Sequence, residues 1–218
     1  MYCLEIILNY SHHQWPCTSG SFMMTSCCNP FFASKVLLLC IFFHHSIAMS
    51  EPVQTRNLLI QDNMRLVTDN VMGGVSRGEV KWSDQDETPC LSLTGDVSTE
   101  NNGGFIQAAM DIDSNDAENL TLEDGVILKV RGNGENYNVH LRTSNLWLPW
   151  QSYRAIFESD ENWQTITIPF KKFIPYKTSS QLKPEKIKRV GIVAIGRDFR
   201  ADVCISELNF YKAKPDNE

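Results

Sequence analysis

Short segments in which apolar and polar residues alternate recur through most of the chain beyond residue 88. A period of two places successive side chains on opposite faces of a β-strand, so each run predicts a strand. The last run slips by one residue between Ile205 and Leu208, which predicts a β-bulge. No segment shows a long amphipathic helical pattern, and the chain is therefore predicted to be all-β. The predicted strands occupy residues 90–97, 105–110, 126–130, 137–142, 165–170 and 203–210.

Turn-forming residues separate these predicted strands, and glycine or asparagine supplies the positive φ angles that tight turns require. The spacing between strands is about 8–15 residues, which is typical of a sandwich or jelly roll. No internal repeat or low-complexity linker interrupts the pattern, so residues 49–218 are predicted to form one jelly-roll β-sandwich domain. The turns include Gly73-Gly74, Asn102-Gly103-Gly104 and Gly132-Asn133-Gly134. The last of these, Gly132-Asn133-Gly134, is predicted to close a hairpin.

Residues 1–48 differ from the rest of the chain, because Glu5 and Lys35 are their only charged side chains. Lys35 precedes an apolar run at 36–43, and Ser46-Ile47-Ala48 follows with small residues spaced as at a cleavage site. This pattern is typical of a secretory signal peptide, and the run is shorter than the roughly 20 residues of a membrane span. It predicts an exported protein, periplasmic or secreted. A mitochondrial transit peptide and a misassigned start are the alternatives.

Only two of the seven cysteines, Cys90 and Cys204, lie beyond residue 48. In an oxidising compartment they can form a disulfide. Two buried thiols are an equally valid interpretation, because cysteine behaves as a small apolar residue in protein cores.

The composition argues against several functional classes. A net charge of −6 disfavours nucleic acid as a partner. His140 is the only histidine beyond residue 48, and no nucleophile elbow or cysteine–histidine cluster accompanies it. The sequence therefore predicts no enzyme, no cofactor and no metal site. The acidic segment at 111–116 is interpreted as a solvated loop, because it lacks the glycine and terminal glutamate of a calcium-binding EF-hand.

Three groups of residues are candidates for binding. The first is the segment 69–76, in which Asp69 and Ser76 can hydrogen-bond to the backbone of the glycine turn and Met72 offers an apolar contact. It is either a binding loop or a sandwich corner locked by its own side chains. The second is the turn Asn102-Gly103-Gly104, for which a structural role is favoured.

The third group lies near Arg142, which shares one predicted strand face with Asn138 and His140. An arginine, a histidine and an asparagine together can bind a sugar or a carboxylate, and a solvated outer face is the alternative. Trp147 and Trp150 follow in a predicted loop. They are candidates for a sugar-stacking platform, a protein hot spot or a plug at one end of the sandwich.

Three segments in this order resemble the thirty-kilodalton complex I intermediate-associated protein family. They are 68–76 (TDNVMGGVS), 100–105 (ENNGGF) and 131–134 (RGNG), the last followed by Tyr137 and Arg142. The resemblance extends over roughly residues 58–210. It implies a galactose-binding-like jelly roll and a role as a chaperone in the assembly of respiratory complex I, NADH:ubiquinone oxidoreductase, rather than as an enzyme. Asn133 stands where the family usually has aspartate.

Two functional hypotheses follow. The first is a protein-binding module whose partners are complex I subunits or assembly intermediates, or an exported bacterial relative of such a module. The second is a carbohydrate-binding module that uses a face of the jelly roll and the segment of Trp147 and Trp150. The family resemblance implies a mitochondrial location for the first, whereas the N-terminal segment predicts export.

Overall fold

The computed structural model describes residues 57–59, 63–113, 116–117 and 119–213 of the 218-residue chain. The predicted boundary at residue 48 lies outside these residues and stays a prediction. Within them, helical residues are confined to short turns. The strands are β1 Met64–Thr68, β2 Arg77–Gln85, β3 Thr88–Val97, β4 Phe105–Asp111, β5 Gly125–Gly132, β6 Asn136–Thr143, β7 Ser152–Glu158, β8 Gln164–Pro169, β9 Ile174–Tyr176, β10 Ile187–Ile195 and β11 Phe199–Tyr211.

The strands form two antiparallel sheets. The six-stranded sheet has the order β1-β4-β10-β6-β7-β9, and the five-stranded sheet has the order β2-β3-β11-β5-β8. The inner faces of the two sheets bury one shared apolar core. The predicted all-β, galactose-binding-like jelly-roll sandwich is confirmed.

The alternating pattern explains which face of each strand is buried. Leu91 and Leu93 of β3 and Leu128 of β5 pack in the core opposite Val139 of β6 and Ile192 of β10. Full burial of such a side chain stabilises the folded state by roughly 1.5–3 kcal/mol. Because successive residues alternate, the neighbours of these side chains form the outer faces of the sheets.

Two local predictions have different outcomes. The bulge in the last strand is confirmed, because the pairing of β11 with β5 shifts register between Ile205 and Glu207. The predicted hairpin at residues 132–134 is wrong, since β5 and β6 belong to different sheets. Hairpins and inter-sheet connections use the same turn residues, so composition does not separate them. Here the side-chain amide of Asn133 donates a hydrogen bond to the carbonyl oxygen of Arg200 at 2.8 Å, which an aspartate could not do.

A disulfide joins Cys90 of β3 to Cys204 of β11, which decides between the two interpretations of these cysteines. Both side chains are buried on the outer side of the five-stranded sheet, between the core positions of their strands. The bond closes a loop of 114 residues. A loop of that length is expected to stabilise the domain by about 2–5 kcal/mol through its restriction of the unfolded chain.

Candidate functional site

Asp69 is the centre of a buried hydrogen-bond cluster that joins two loops. Its carboxylate accepts hydrogen bonds from the backbone N–H and the hydroxyl of Ser76, at 3.0 and 2.5 Å. It also accepts from the backbone N–H groups of Gly104 and Phe105, at 2.5 and 3.2 Å. Burial opposes ionisation of this carboxylate, but the four hydrogen bonds prevail and hold the pKa of Asp69 below its ordinary value. The residues 69–76, called here the Asp69 loop, are thereby fixed to the start of β4.

The glycines around Asp69 make room for its carboxylate. A Cβ atom on Gly74 would lie 2.3 Å from the Cγ of Asp69, and one on Gly103 would lie 2.4 Å from its Oδ2. Gly73 has open space instead but a φ of +91°, and Gly104 has a φ of +122°. Asn102, at φ +58°, also takes the left-handed conformation that its turn was predicted to need. Glycine is therefore needed at residues 74 and 103 because the backbone approaches Asp69 closely, and at residues 73 and 104 because the backbone has a positive φ.

The Asp69 loop presents apolar side chains to solvent although its centre is buried. Val71 is 76% exposed and Met72 is 56% exposed, and Val75 beside them is also exposed. The two interpretations of this segment are therefore compatible: Asp69, Gly74 and Ser76 lock the loop, while other residues of the loop offer contact surface.

Arg142 and the two tryptophans lie together at the other end of the six-stranded sheet. Arg142 donates a hydrogen bond from Nη1 to the carbonyl oxygen of Pro149. The side-chain oxygen of Gln151 accepts from the backbone N–H groups of Trp147 and Leu148, at 3.1 and 3.0 Å. These contacts fix residues 146–151, called here the tryptophan loop. Trp147 is 92% exposed, and Trp150 is half exposed.

The structure does not bring Met72 close to the tryptophans. The Asp69 loop follows Thr68, which lies level with Ala194 of β10, whereas Arg142 pairs with Arg189 of the same strand. Five residues along a strand correspond to roughly 17 Å. The candidate residues therefore form two groups at opposite ends of one sheet.

Between these groups, three cross-strand rows of residues on the outer face of the six-stranded sheet bring polar side chains from several strands together. One row crosses the sheet from Ala109 through Gly191, His140 and Arg154 to Ile174. The rows on either side run from Gln107 through Val193 and Asn138 to Ile156, and from Asp111 through Arg189 to Arg142. Cross-strand partners share a face, so these side chains are neighbours.

The centre of this face is made of small or buried residues that longer side chains surround and cover. Ala109, Val193 and His140 are buried there, although they point away from the core. A Cβ atom on Gly191 would meet the side-chain nitrogen of Gln107 at 2.2 Å, so Gln107 lies across the glycine. We call this central region, with Arg142 and Arg154 at its border, the outer-face recess.

Arginine is the dominant charge around the recess. Arg65 and Arg189 both form ion pairs with Asp111. Burial acts to raise the pKa of Asp111, but hydrogen bonds from the two arginines outweigh it and lower the pKa overall. Burial lowers the pKa of Arg142, and the positive charge of neighbouring Arg189 lowers it further.

Arg154 is held in a fixed orientation on the opposite side of the recess. Its Nε donates to the hydroxyl of Ser152 at 3.0 Å, and its guanidinium carbon lies 3.4 Å from the centre of the Tyr176 ring. Beyond it, Ile156 and Ile174 are each 71% exposed. An exposed apolar edge thus borders the charged centre.

His140 forms part of the floor of the recess and is 8% exposed. Burial, together with the charge of Arg154, lowers its pKa to about 3, so the imidazole is neutral at physiological pH. Within the described part of the chain its Nε2 is buried without a hydrogen-bond partner, and so is the Nε of Arg142. Both atoms are therefore closed off from the protein surface by their neighbours.

Alternation in the sequence places Asn138, His140 and Arg142 on one face, but it does not bring Arg154, Arg189 and Tyr176 to them. Arginine within a strand pattern is the signal that Arg154 and Arg189 leave, and it can be interpreted only when the strand order is known. Tyr176 leaves no such signal. Over the described ranges, no group of histidine, cysteine, aspartate and glutamate is arranged to hold a metal ion. None of the helices described there is long and apolar enough to cross a membrane.

Comparison with known protein families decides the relationship that the three segments suggested. The family described as Complex I intermediate-associated protein 30 matches residues 54–203, which is more than half of the chain. The chain belongs to this family. The match includes the Asp69 loop, the turn at Asn102 and the tryptophan loop. No curated protein matches the chain as a close relative.

Among solved structures, carbohydrate-binding modules share the fold. The family 11 module of a cellulosomal cellulase from Clostridium thermocellum superposes with a TM-score of 0.61 at 10% identity, covering 76% of this chain and 97% of that one. A family 11 module from the same organism, in complex with a β-1,3-1,4-mixed-linked tetrasaccharide, gives a TM-score of 0.59 at 11% identity over 72% and 94% of the two chains. At these identities the likeness concerns the fold alone.

Proposed function

We propose that this member of the complex I intermediate-associated protein family is a non-enzymatic module that binds protein, as an assembly factor for NADH:ubiquinone oxidoreductase or an exported relative of one. The observation that carries the proposal is the Asp69 loop, in which a buried carboxylate fixes a segment that exposes Val71, Met72 and Val75. Family membership supports the same role.

The physical argument concerns the entropy of binding. A flexible apolar loop must be ordered when a partner binds, at a cost of about 0.5–1.5 kcal/mol for each immobilised side chain. The four hydrogen bonds to Asp69 order the backbone before binding. Methionine adds a contact that adapts to the surface of a partner.

The test is co-purification from native membranes with the full chain carrying a C-terminal tag. We expect subunits of NADH:ubiquinone oxidoreductase to be recovered, and the double variant Val71→Ser/Met72→Ser to lose them. Leu122→Ser is the matched control, because Leu122 is also an exposed apolar residue but lies outside both loops. Equal recovery with the double variant would exclude the Asp69 loop as the contact surface.

A second candidate function is carbohydrate binding, and the outer-face recess is the observation that favours it. Asn138, His140 and Arg142 carry planar polar groups, and Tyr176 and the tryptophan loop lie at the same end of the sheet as Arg142. Sites for small polar ligands combine a few placed polar groups with aromatic surfaces. A glycan array tests this candidate with the parent chain and with Trp150→Ala, and failure of every glycan to bind would refute it.

The Cys90–Cys204 disulfide supports export, because such bonds persist in oxidising compartments. The proposed product begins near Met49 or Ser50. N-terminal sequencing of the protein from its native host checks this proposal. A protein that retains Cys27 and Cys28 would refute it.

A further inference from the structure

We infer that the outer-face recess binds a saccharide that carries a carboxylate group, such as a uronic acid. The inference rests on the second candidate function and names the ligand class of its site. It uses the charge of the recess and its hydrogen-bonding capacity, both of which are independent of the likeness to carbohydrate-binding modules.

The first argument is the local charge. Arg65, Arg189, Arg142 and Arg154 reach the outer face from four different strands. Asp111 is the acidic partner within the same rows, and it already pairs with two of them. A protein with a net charge of −6 thus concentrates cations on one face. Such a focus attracts anions, which the rest of an acidic surface repels.

The second argument is that two of these arginines keep donors for a ligand. Arg142 contacts the carbonyl oxygen of Pro149 through Nη1, and its Nε is buried. Arg154 contacts Ser152 through Nε and also interacts with Tyr176, so each arginine keeps only part of its guanidinium for a ligand. A guanidinium group has five N–H donors in a planar arrangement that suits a carboxylate. As diagonal neighbours across β6 and β7, the two residues lie about 7–8 Å apart at the backbone, so one group can contact both.

The third argument separates a sugar acid from a simple anion. Gln107 and Asn138 add side-chain amides, each of which both donates and accepts. Hydroxyl groups also donate and accept, so this mixture fits a polyhydroxylated ligand. A carboxylate alone would need only the arginines.

The test is isothermal titration of the full chain with trigalacturonate and with its methyl ester. The two ligands have the same rings and hydroxyls, but the ester has no negative charge. We expect the acid to bind and the ester to bind about tenfold or more weakly, as the loss of a charged hydrogen bond implies. Arg142→Gln and Arg154→Gln should each lower the affinity for trigalacturonate by a similar factor.

Arg200→Gln is the matched control, because Arg200 is an exposed arginine on the five-stranded sheet. It should leave the affinity for trigalacturonate unchanged. Thermal melting of each variant establishes that it is folded. Where Arg154→Gln does not fold, Arg154→Lys keeps the charge without the planar fork and should still weaken binding.

The possible results are distinct. Equal affinity for the acid and its ester, or for a neutral mixed-linkage glucan, would overturn the inference and leave the carbohydrate function standing. Failure of all these saccharides to bind would overturn both. Binding of polyglutamate with the same dependence on Arg142 and Arg154 would show that the recess recognises acidic peptide, and would also overturn the inference.

Discussion

Replacing Asp69 by asparagine is the most direct test of how the Asp69 loop is built, because it keeps the size of the side chain and removes its charge. The carboxylate has one oxygen facing the backbone N–H of Ser76 and one facing those of Gly104 and Phe105. An asparagine amide has only one oxygen. In either orientation its NH₂ group faces at least one buried backbone donor.

The structure sets the magnitude of this effect. A hydrogen bond to a charged group contributes about 1.5–3 kcal/mol, and a buried donor left without an acceptor costs about 1–3 kcal/mol. We therefore expect Asp69→Asn to reduce the free energy of unfolding by about 2–4 kcal/mol. For a domain of this size, that loss lowers the Tm by roughly 5–12 °C.

Thermal melting and urea denaturation of the full chain measure the effect. Asp96→Asn is the matched control, because Asp96 forms an exposed ion pair with Arg200 and such pairs contribute about 0–1 kcal/mol. Gly74→Ala should destabilise as Asp69→Asn does, since its Cβ would displace the carboxylate. If both variants have the same Tm as the parent, Asp69 does not hold the two loops together and the reasoning is wrong.

Three further predictions concern stability. Gly73→Ala has space for its Cβ but an unfavourable φ of +91°, so it should cost only about 1–2 kcal/mol in urea denaturation, and a larger loss would indicate a clash. Cys90→Ala/Cys204→Ala should lower the free energy of unfolding by about 2–5 kcal/mol, and a reducing agent that breaks the disulfide should destabilise the parent by the same amount. The pKa of His140 is lowered to about 3 from 6.5, so protons bind the unfolded state first and stability should fall by about 2 kcal/mol between pH 7 and 5. His140→Gln should remove this pH dependence. If stability falls as steeply between pH 7 and 5 in the variant as in the parent, His140 is not the group responsible.

The strands that line the core could be predicted from sequence because burial imposes a period of two on each of them. Leu91, Leu93, Leu128 and Val139 follow this rule, and so does the slip that marks the bulge after Ile205. The identity of the sheet to which each strand belongs leaves no such local pattern. This is why the sequence predicts a hairpin at residues 132–134 although that turn joins the two sheets.

The outer-face recess could be predicted only in part, for a related reason. Asn138, His140 and Arg142 are neighbours on one strand, so alternation alone places them on one face. Arg65, Arg154 and Arg189 come from three other strands, and strand order and register bring them together. A positive face assembled in this way is invisible in a chain whose net charge is −6.

The position of the two candidate surfaces bears on how the module works. The Asp69 loop and the recess lie on the same sheet but depend on different supports: one on a buried carboxylate, the other on cross-strand rows of arginine and histidine. Substitutions at sites that share no partners usually have additive effects. The two proposals therefore predict that contact with a protein through Met72 and occupation of the recess beside Arg154 are separable. On that prediction, Val71→Ser/Met72→Ser should leave the affinity for trigalacturonate unchanged, and Arg154→Gln should leave the recovery of protein partners unchanged.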